Sequence, residues 1–231
     1  MPLSDTEREA LISKWIKPSS DSEQQRQDRA ERMIKDAIDA HPAFKGVKYS
    51  IYAKGSYANN TNVRLDSDVD VVVQCDDPFC YDYASNVQPQ PSLAPPYTGP
   101  WMPGTWRSEV AKALKNHFGA SDVDASGKIA IAISEKIGSR PNADVVPSFD
   151  YWLLRSRDRS VADRGSVVYA TDNDRIVNWP KQQLNNGRAK NDRTARRYKA
   201  FVRALKNGEN TLVDAGTISE KPSYLMECLH V

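Results

Sequence analysis

The sequence predicts an α+β fold, with helices and short β-strands along the chain. Capping patterns and helical spacing occur near both ends of the chain, whereas short runs rich in valine and isoleucine lie between them. With 231 residues, 39% of them hydrophobic and 27% charged, the chain can bury a sizeable core. One large domain, or one domain with part of a second, is therefore expected.

Two helices are expected at the start of the chain. The segments Ser4–Glu7 and Ser20–Glu23 both have the Ser-x-x-Glu pattern, in which each side chain caps a backbone amide of the other residue. Lys17-Pro18 ends the first helix, because proline disfavours the helical conformation of the residue before it. His41-Pro42 marks the end of the second helix.

A strand, a turn and a second strand are predicted next. Val47–Ala53 alternates well enough for a strand, Gly55-Ser56 interrupts it, and Val69–Gln74 is a β-branched run. Residues 76–103 contain seven of the fourteen prolines, which predicts a long irregular loop.

The remaining helices and strands are predicted from the spacing of their apolar residues. A helix ended by Gly119, two strands, a hairpin around Asp172-Asn173-Asp174 and two final helices are expected. Their predicted ranges are 105–118 for the helix, 128–133 and 143–146 for the strands, 166–169 and 175–179 for the hairpin, and 190–206 and 222–231 for the final helices.

Composition excludes several classes of protein. The net charge of +2 gives no strong overall field that would attract polyanions. The absence of a long apolar run and of a signal-peptide pattern predicts a cytoplasmic protein. The three cysteines, Cys75, Cys80 and Cys228, form no metal or disulfide pattern and are expected to be reduced. The three histidines are scattered, which disfavours a histidine-ligated metal or a Ser-His triad.

Two carboxylates at strand spacing carry the chemistry. Period-two geometry places Asp68 and Asp70 on one face, where both can bind a hard cation. Gly55 permits close approach of the backbone to a phosphate, and the Ser56 hydroxyl with neighbouring amides can donate hydrogen bonds to it. On its own, Asp-x-Asp has the alternative interpretation of a solvated start of a strand. A nucleoside triphosphate with magnesium, however, needs both the carboxylate pair and the phosphate-binding Gly55-Ser56.

A third carboxylate, Asp144, stands in the strand-like run Ala143–Val146. An unpaired charge is costly in so apolar a segment, so Asp144 requires a metal or a partner. Asp150 and Asp158 lie in less apolar surroundings and are interpreted as structural or surface residues.

Gly55-Ser56, Asp68-x-Asp70 and a later lone Asp144 resemble the pattern of polymerase-beta-like nucleotidyltransferases. Within that superfamily, the helical start and the sequences Gly-Ser-Tyr-Ala-Asn-Asn-Thr and Asp-Val-Val-Pro are similar to the CD-NTases, bacterial relatives of cyclic GMP-AMP synthase. This resemblance implies synthesis of cyclic di- or oligonucleotide signals from nucleoside triphosphates, with release of pyrophosphate, in antiphage defence. It implies two Mg²⁺ ions, with Mn²⁺ possible, held by the three aspartates.

The resemblance extends to the segments Phe201–Lys206 and Pro222–Tyr224. It implies that Lys206 and Ser223 contact the triphosphate and that Tyr224 stacks on a base. Alternatively, Lys206 is a basic residue in the last turn of a helix, and Tyr224 is an aromatic residue of the core.

The resemblance also implies a division into two domains. Residues 1–180 would form the catalytic core with its N-terminal helices, a polymerase-beta-like core in which helices flank a mixed sheet. Residues 181–231 would form the start of a helical substrate-binding or lid domain that is expected to be truncated. A regulatory protein or nucleic-acid activator and a downstream effector are implied as partners, with no membrane.

Other functions remain open from the residues themselves. The same metal site serves transfer of a nucleotide to an aminoglycoside, a protein or an RNA end. Nine basic residues between 181 and 206, against the single Asp192, also fit a non-catalytic protein that binds nucleotides or nucleic acid, although a solvated helix face is the commoner explanation.

Overall fold

A computed structural model of the chain describes residues 3–18, 20–63, 68–89 and 97–229. The helices are α1 (Asp5–Trp15), α2 (Asp21–Asp39), α3 (Gly55–Asn59), α4 (Pro103–Phe118), α5 (Pro180–Arg193), α6 (Tyr198–Asp214) and α7 (Ser223–Cys228). The strands are β1 (Tyr49–Ala53), β2 (Val69–Tyr83), β3 (Val123–Asp124), β4 (Ile131–Ile133), β5 (Ala143–Leu154), β6 (Ala162–Tyr169) and β7 (Arg175–Asn178). The α+β class is therefore confirmed.

Local signals fixed the first two helices. Ser4 and Glu7 form the predicted capping box at the start of α1. At the start of α2, the Ser20 amide donates to Glu23 at 2.6 Å and the Glu23 amide donates to the Ser20 hydroxyl at 3.3 Å. Both predicted capping boxes are confirmed.

Seven strands within the described ranges form one mixed sheet. Its order is β1-β2-β5-β4-β3, and β6 pairs with β5 and with β7. β2 and β5 are parallel, whereas the other pairs are antiparallel. β5 pairs with β4 near its start and with β6 near its end, so β2 and β5 form the centre of the sheet. The predicted β6–β7 hairpin is confirmed, with Asn173 at a positive φ of 71° in its turn.

The predicted loop over 76–103 is wrong at both ends. β2 continues to Tyr83, and the register against β5 shifts between Cys75 and Cys80. This irregularity accommodates Pro78, which cannot donate to a regular ladder. At the other end, Pro103 begins α4. The prolines at 91, 95 and 96 lie outside the described residues.

Two further predictions need correction. Gly55-Ser56 begins the short helix α3 rather than a simple turn. The single helix predicted over 190–206 is two helices, α5 and α6, separated where Ala195 and Arg196 adopt positive φ angles of 50° and 65°. Neither glycine nor proline marks that break in the sequence.

The chain divides into two compact units. The helical unit consists of Met1–Gln25, Lys54–Ser67 and Gln183–Val231, and the sheet unit consists of Arg26–Ala53 and Asp68–Gln182. The division between residues 180 and 181 that the resemblance implies stays a prediction. No helix within the described ranges has the length and apolar character needed to cross a membrane.

The core of the sheet unit is built on Trp106 of α4. Its side chain is fully buried, and its indole N–H donates to the Val73 carbonyl of β2 at 3.1 Å. The rings of Phe44 and Trp101 lie 5.0 and 5.2 Å from it, and that of Phe149 on β5 lies 6.4 Å away. α4 is therefore fixed to the central strands that carry the candidate site.

Candidate active site

Asp70 and Asp144 lie opposite each other in the sheet unit. They are register partners in the parallel β2–β5 ladder. Neighbouring strands are about 4.8 Å apart, and partners in register point to the same face of a sheet. Both aspartates are partly exposed, whereas the valines that follow them, Val71 and Val145, are fully buried on the other face. The two carboxylates therefore share one accessible face.

The other neighbour of Asp144 in the sheet is a small residue. Ala132 of β4 is the antiparallel partner of Asp144, and its short side chain is exposed. Asp144 therefore has a carboxylate partner on β2 and only a methyl group opposite it on β4.

Asp68 lies exposed before the first residue of β2. Within the described part of the chain, no three or more His, Cys, Asp or Glu side chains form a group that could hold a metal ion. The structure thus brings together two of the three predicted carboxylates. The role of Asp68 stays a prediction.

The Asp70–Asp144 pair fits a magnesium ion. Mg²⁺ prefers oxygen ligands and is commonly bound through one or two carboxylates, with water and substrate phosphates completing its coordination. Two carboxylates on adjacent rigid strands are therefore the ligands that the protein itself would contribute.

A polar cavity lies farther along the same face of the sheet. It has a volume of ≈ 390 Å³ and is lined by Ser50, Tyr52, Gln74, Asp76, Pro78, Asp150, Trp152, Arg164, Gly165, Pro180 and Lys181. At about 3.3 Å per residue, Gln74 is roughly 13 Å along β2 from Asp70.

Hydrogen bonds and stacking order the side chains of this cavity. The Tyr52 hydroxyl donates to Gln74 at 2.8 Å, and burial raises the pKa of Tyr52 to about 12. Lys181 lies over the Tyr52 ring at 4.9 Å, and Arg164 stacks on Trp152 at 3.7 Å. The sequence prediction missed this cavity, although alternate polar residues along β1 and β5 were a visible signal.

Gly55 and Ser56 belong to the helical unit. Gly55 begins α3 with a φ of 72°, a left-handed value that favours glycine. Ser56 is partly buried, and its carbonyl accepts a hydrogen bond from the Thr61 amide at 2.8 Å. The requirement for glycine is therefore explained by the backbone, whereas phosphate binding by this pair stays a prediction.

Lys206 lies in the interior of α6, which continues to Asp214, so the interpretation as a basic last turn is wrong. The residue is only 4% exposed, and its ammonium lies 3.3 Å from Glu227 Oε1. Burial lowers the pKa of Lys206, and the attraction of Glu227 opposes this only in part. Glu227 was missed from the sequence, because no local pattern marks a buried acid in α7.

Ser223 and Tyr224 open α7 and are both exposed. Tyr224 is 59% exposed, so the alternative interpretation as a core aromatic is wrong. Phe201 and Leu205 of α6 are also exposed, whereas Val202 of the same helix is buried.

The basic segment 181–206 is not one continuous stripe. It runs across the break between α5 and α6, and Arg203 and Lys206 are buried within the helical unit. Arg203 donates to the carbonyls of Ile16 and Asn60 at 2.6 to 2.9 Å, so its charge serves internal contacts.

The fold matches that of known nucleotidyltransferases. The chain resembles the Rhodothermus marinus structure described as a CdnE c-UMP-AMP synthase with Apcpp and Upnpp, with a TM-score of 0.81, 28% identity and coverage of 99% of this chain and 74% of that chain. It also resembles the Elizabethkingia meningoseptica CdnE cyclic dinucleotide synthase with GTP and Apcpp, with a TM-score of 0.75, 31% identity and coverage of 99% and 74%. The class of the protein is therefore that of the nucleotidyltransferases.

Sequence similarity identifies the family within the nucleotidyltransferases. Residues 185–231 match the model of the cGAS/DncV-like nucleotidyltransferase C-terminal helical domain. The chain is 37% identical over 223 residues to CdnE of Legionella pneumophila, a cyclic dipyrimidine nucleotide synthase. The aligned region covers 96% of this chain and 75% of that protein. The chain belongs to the CD-NTase family, as its resemblance predicted. Dependence on a divalent metal ion is general in this family.

Proposed function

We propose that this chain joins nucleoside triphosphates into a cyclic di- or oligonucleotide with release of pyrophosphate, as a signal in antiphage defence. The observation that carries this proposal is the pairing of Asp70 with Asp144 on the accessible face of the sheet. The named products of its relatives, cyclic dinucleotides in each case, favour this reaction over transfer to an aminoglycoside, a protein or an RNA end.

Asp70 and Asp144, joined by Asp68, are assigned to metal binding. Magnesium held there would polarise the phosphoryl oxygens, favour the alkoxide form of the attacking hydroxyl and neutralise the departing pyrophosphate. The aspartates fix the position of this charge, because β2 and β5 are central strands anchored by buried valines. Preorganised charge of this kind needs no rearrangement during the reaction.

Contacts with the nucleotide itself are assigned to residues of the helical unit. Gly55 and Ser56 would donate hydrogen bonds to the triphosphate, and Ser223 and Lys206 would also contact it. The ring of Tyr224 would stack on a base, for which its exposure leaves it accessible. Lys206 must first exchange its contact with Glu227 for one with phosphate, or else act at a distance.

The choice of base remains open to experiment, because the three relatives are named for dipyrimidine, UMP-AMP and unspecified dinucleotide products. Purified protein is incubated with Mg²⁺ and all four labelled triphosphates, treated with phosphatase, and its products are analysed by mass spectrometry. A phosphatase-resistant nucleotide that disappears with Asp70→Asn/Asp144→Asn would establish the reaction and name the bases.

The matched control is Asp163→Asn. Asp163 lies on the same sheet in β6 but pairs with Arg155 at 2.7 Å, so its substitution leaves the carboxylate pair intact. Absence of any nucleotide product from the wild-type protein, with all four triphosphates and either Mg²⁺ or Mn²⁺, would contradict the proposal for this chain acting alone.

A further inference from the structure

A carboxylate is buried within the helical unit. Glu227 of α7 is only 7% exposed, and an isolated charge at such a position would be costly. Its two oxygens accept hydrogen bonds from Thr61 Oγ1 at 2.6 Å, Asn59 Nδ2 at 3.0 Å, Gln183 Nε2 at 3.0 Å and Lys206 Nζ at 3.3 Å. Four donors therefore converge on one acid.

These donors come from distant parts of the sequence. Asn59 and Thr61 belong to the end of α3 and the residues after it, whereas Gln183 lies on α5 and Lys206 on α6. The Glu227 backbone carbonyl also accepts a hydrogen bond from the Tyr198 hydroxyl at 3.0 Å. The acid thus connects four helices of the helical unit.

The charge of Glu227 is better compensated than that of Lys206. Burial raises the pKa of Glu227, but the hydrogen bond from Thr61, the charge of Lys206 and the bonds from Gln183 and Asn59 together lower it below its ordinary value. Lys206 has a weaker set of contacts, Glu227 at 3.3 Å and Thr61 Oγ1 at 3.5 Å, and burial lowers its pKa. The carboxylate is the fixed centre of this network.

The two segments that Glu227 connects are those assigned to the nucleotide. α3 begins with Gly55 and Ser56, and α7 begins with Ser223 and Tyr224. The acid lies one helical turn after Ser223 in α7, and it holds the opposite end of α3 through Asn59. A change at Glu227 is therefore transmitted to both segments.

We propose that Glu227 is a positioning residue for nucleotide binding, which fixes the end of α3 and the start of α7 in one arrangement without touching the nucleotide itself. This inference rests on the proposed function. A residue that only stabilised the fold would lower activity and melting temperature together. A positioning residue of the helical unit changes KM and leaves kcat nearly intact, because the metal-binding aspartates belong to the sheet unit.

The first experiment measures pyrophosphate release by the Glu227→Gln variant of this chain. The expected result is a rise in KM for nucleoside triphosphate of about 10-fold with kcat within about 3-fold of the wild type. Asn207→Ala is the matched control, because Asn207 of α6 also makes a long-range hydrogen bond within the helical unit, from its side-chain amide to the Trp15 carbonyl at 3.1 Å, but that bond holds α1 rather than α3 or α7. Its KM is expected to stay at the wild-type value.

The second experiment does not depend on activity. Hydrogen exchange of the amides in residues 55–62 is followed in nucleotide-free wild type, Glu227→Gln and Asn207→Ala. Loss of the bonds to Asn59 and Thr61 should accelerate exchange there by about 10-fold or more in Glu227→Gln alone. If wild type makes no product, the proposed function fails, whereas this exchange still reports whether Glu227 controls α3.

A milder variant covers the case in which Glu227→Gln does not fold. Thr61→Val keeps the shape of the fully buried side chain and removes the 2.6 Å donor, so a smaller KM rise of about 3-fold is expected. Unchanged exchange in 55–62, an unchanged KM in a folded Glu227→Gln protein, or equal effects of Asn207→Ala would each overturn the inference.

Discussion

Asp70 and Asp144 face each other across two parallel strands because the backbone register of β2 against β5 places them there. A register shift of one residue would move one of them to the opposite, buried face of the sheet. The fully buried Val71, Val73 and Val145 oppose such a shift, since it would expose their side chains. The geometry of the candidate metal site is thus set by the core rather than by flexible loops.

Substitution of either aspartate should abolish turnover without unfolding the protein. A metal ion supplies several kcal/mol of charge stabilisation, and each 1.36 kcal/mol is a factor of ten, so Asp70→Asn and Asp144→Asn should each lower kcat about 1000-fold or more. Pyrophosphate release at saturating triphosphate and increasing Mg²⁺ measures this loss. Either variant retaining more than about a tenth of wild-type turnover would rule out the assigned metal role.

Tyr224 should affect affinity through its ring rather than its hydroxyl. Stacking on a base contributes about 1–3 kcal/mol, so Tyr224→Ala should weaken binding of the nucleotide about 5- to 150-fold. Tyr224→Phe keeps the ring and should bind like the wild type. Titration calorimetry with a non-hydrolysable triphosphate compares the three proteins, and equal affinities for the alanine and phenylalanine variants would exclude stacking.

Two helical glycines should respond in opposite directions to alanine. A Cβ at Gly187 of α5 would lie 2.4 Å from Asn59 Oδ1, so Gly187→Ala should destabilise the protein by about 1–3 kcal/mol through overpacking. A Cβ at Gly208 of α6 would lie 3.7 Å from Trp15, an ordinary contact, so Gly208→Ala should stabilise by about 0.5–1 kcal/mol. Urea unfolding measures both changes, and the same sign for both would contradict this packing.

Acidification should remove the stabilisation that Glu227 provides. Because its pKa is lowered in the folded protein, this contribution is present above the unfolded pKa of about 4.3 and is lost as pH falls through the folded value. Melting temperatures between pH 7 and pH 3 should therefore fall less steeply for Glu227→Gln than for the wild type. Parallel curves for the two proteins would show that folding does not lower the pKa of this acid.

The sequence predicted elements whose signals are local. The capping boxes of α1 and α2, the end of α4 at Gly119 and the β6–β7 hairpin depend on neighbouring residues and were confirmed. β2 was predicted too short, because a proline within a strand is tolerated only at an irregularity that pairing with β5 reveals. The break between α5 and α6 was missed, because Ala195 and Arg196 adopt a backbone conformation that their side chains do not favour.

The residues of the candidate site also differ in whether the local sequence marks them. Asp70 and Asp144 were identified because acids within β-branched or apolar runs are conspicuous, and their pairing supports that choice. Glu227 has no such local signal, since its partners Asn59 and Thr61 are 168 and 166 residues away in the sequence. Residues of this kind are identified only once the chain has folded.

The helical unit is built from three segments that are synthesised at well-separated times. α1 is held by Arg203 and Asn207, whose contacts with Ile16 and Trp15 are 187 and 192 residues apart in sequence. At about 5–20 residues per second, α1 spends roughly 10–40 s without its partner helix after its own synthesis. The sheet unit can form during that interval, whereas α3 acquires its Glu227 anchor only when α7 has been made. The carboxylate pair lies in a unit that needs no residue beyond Gln182, whereas the anchor of α3 needs Glu227, which is synthesised 45 residues later.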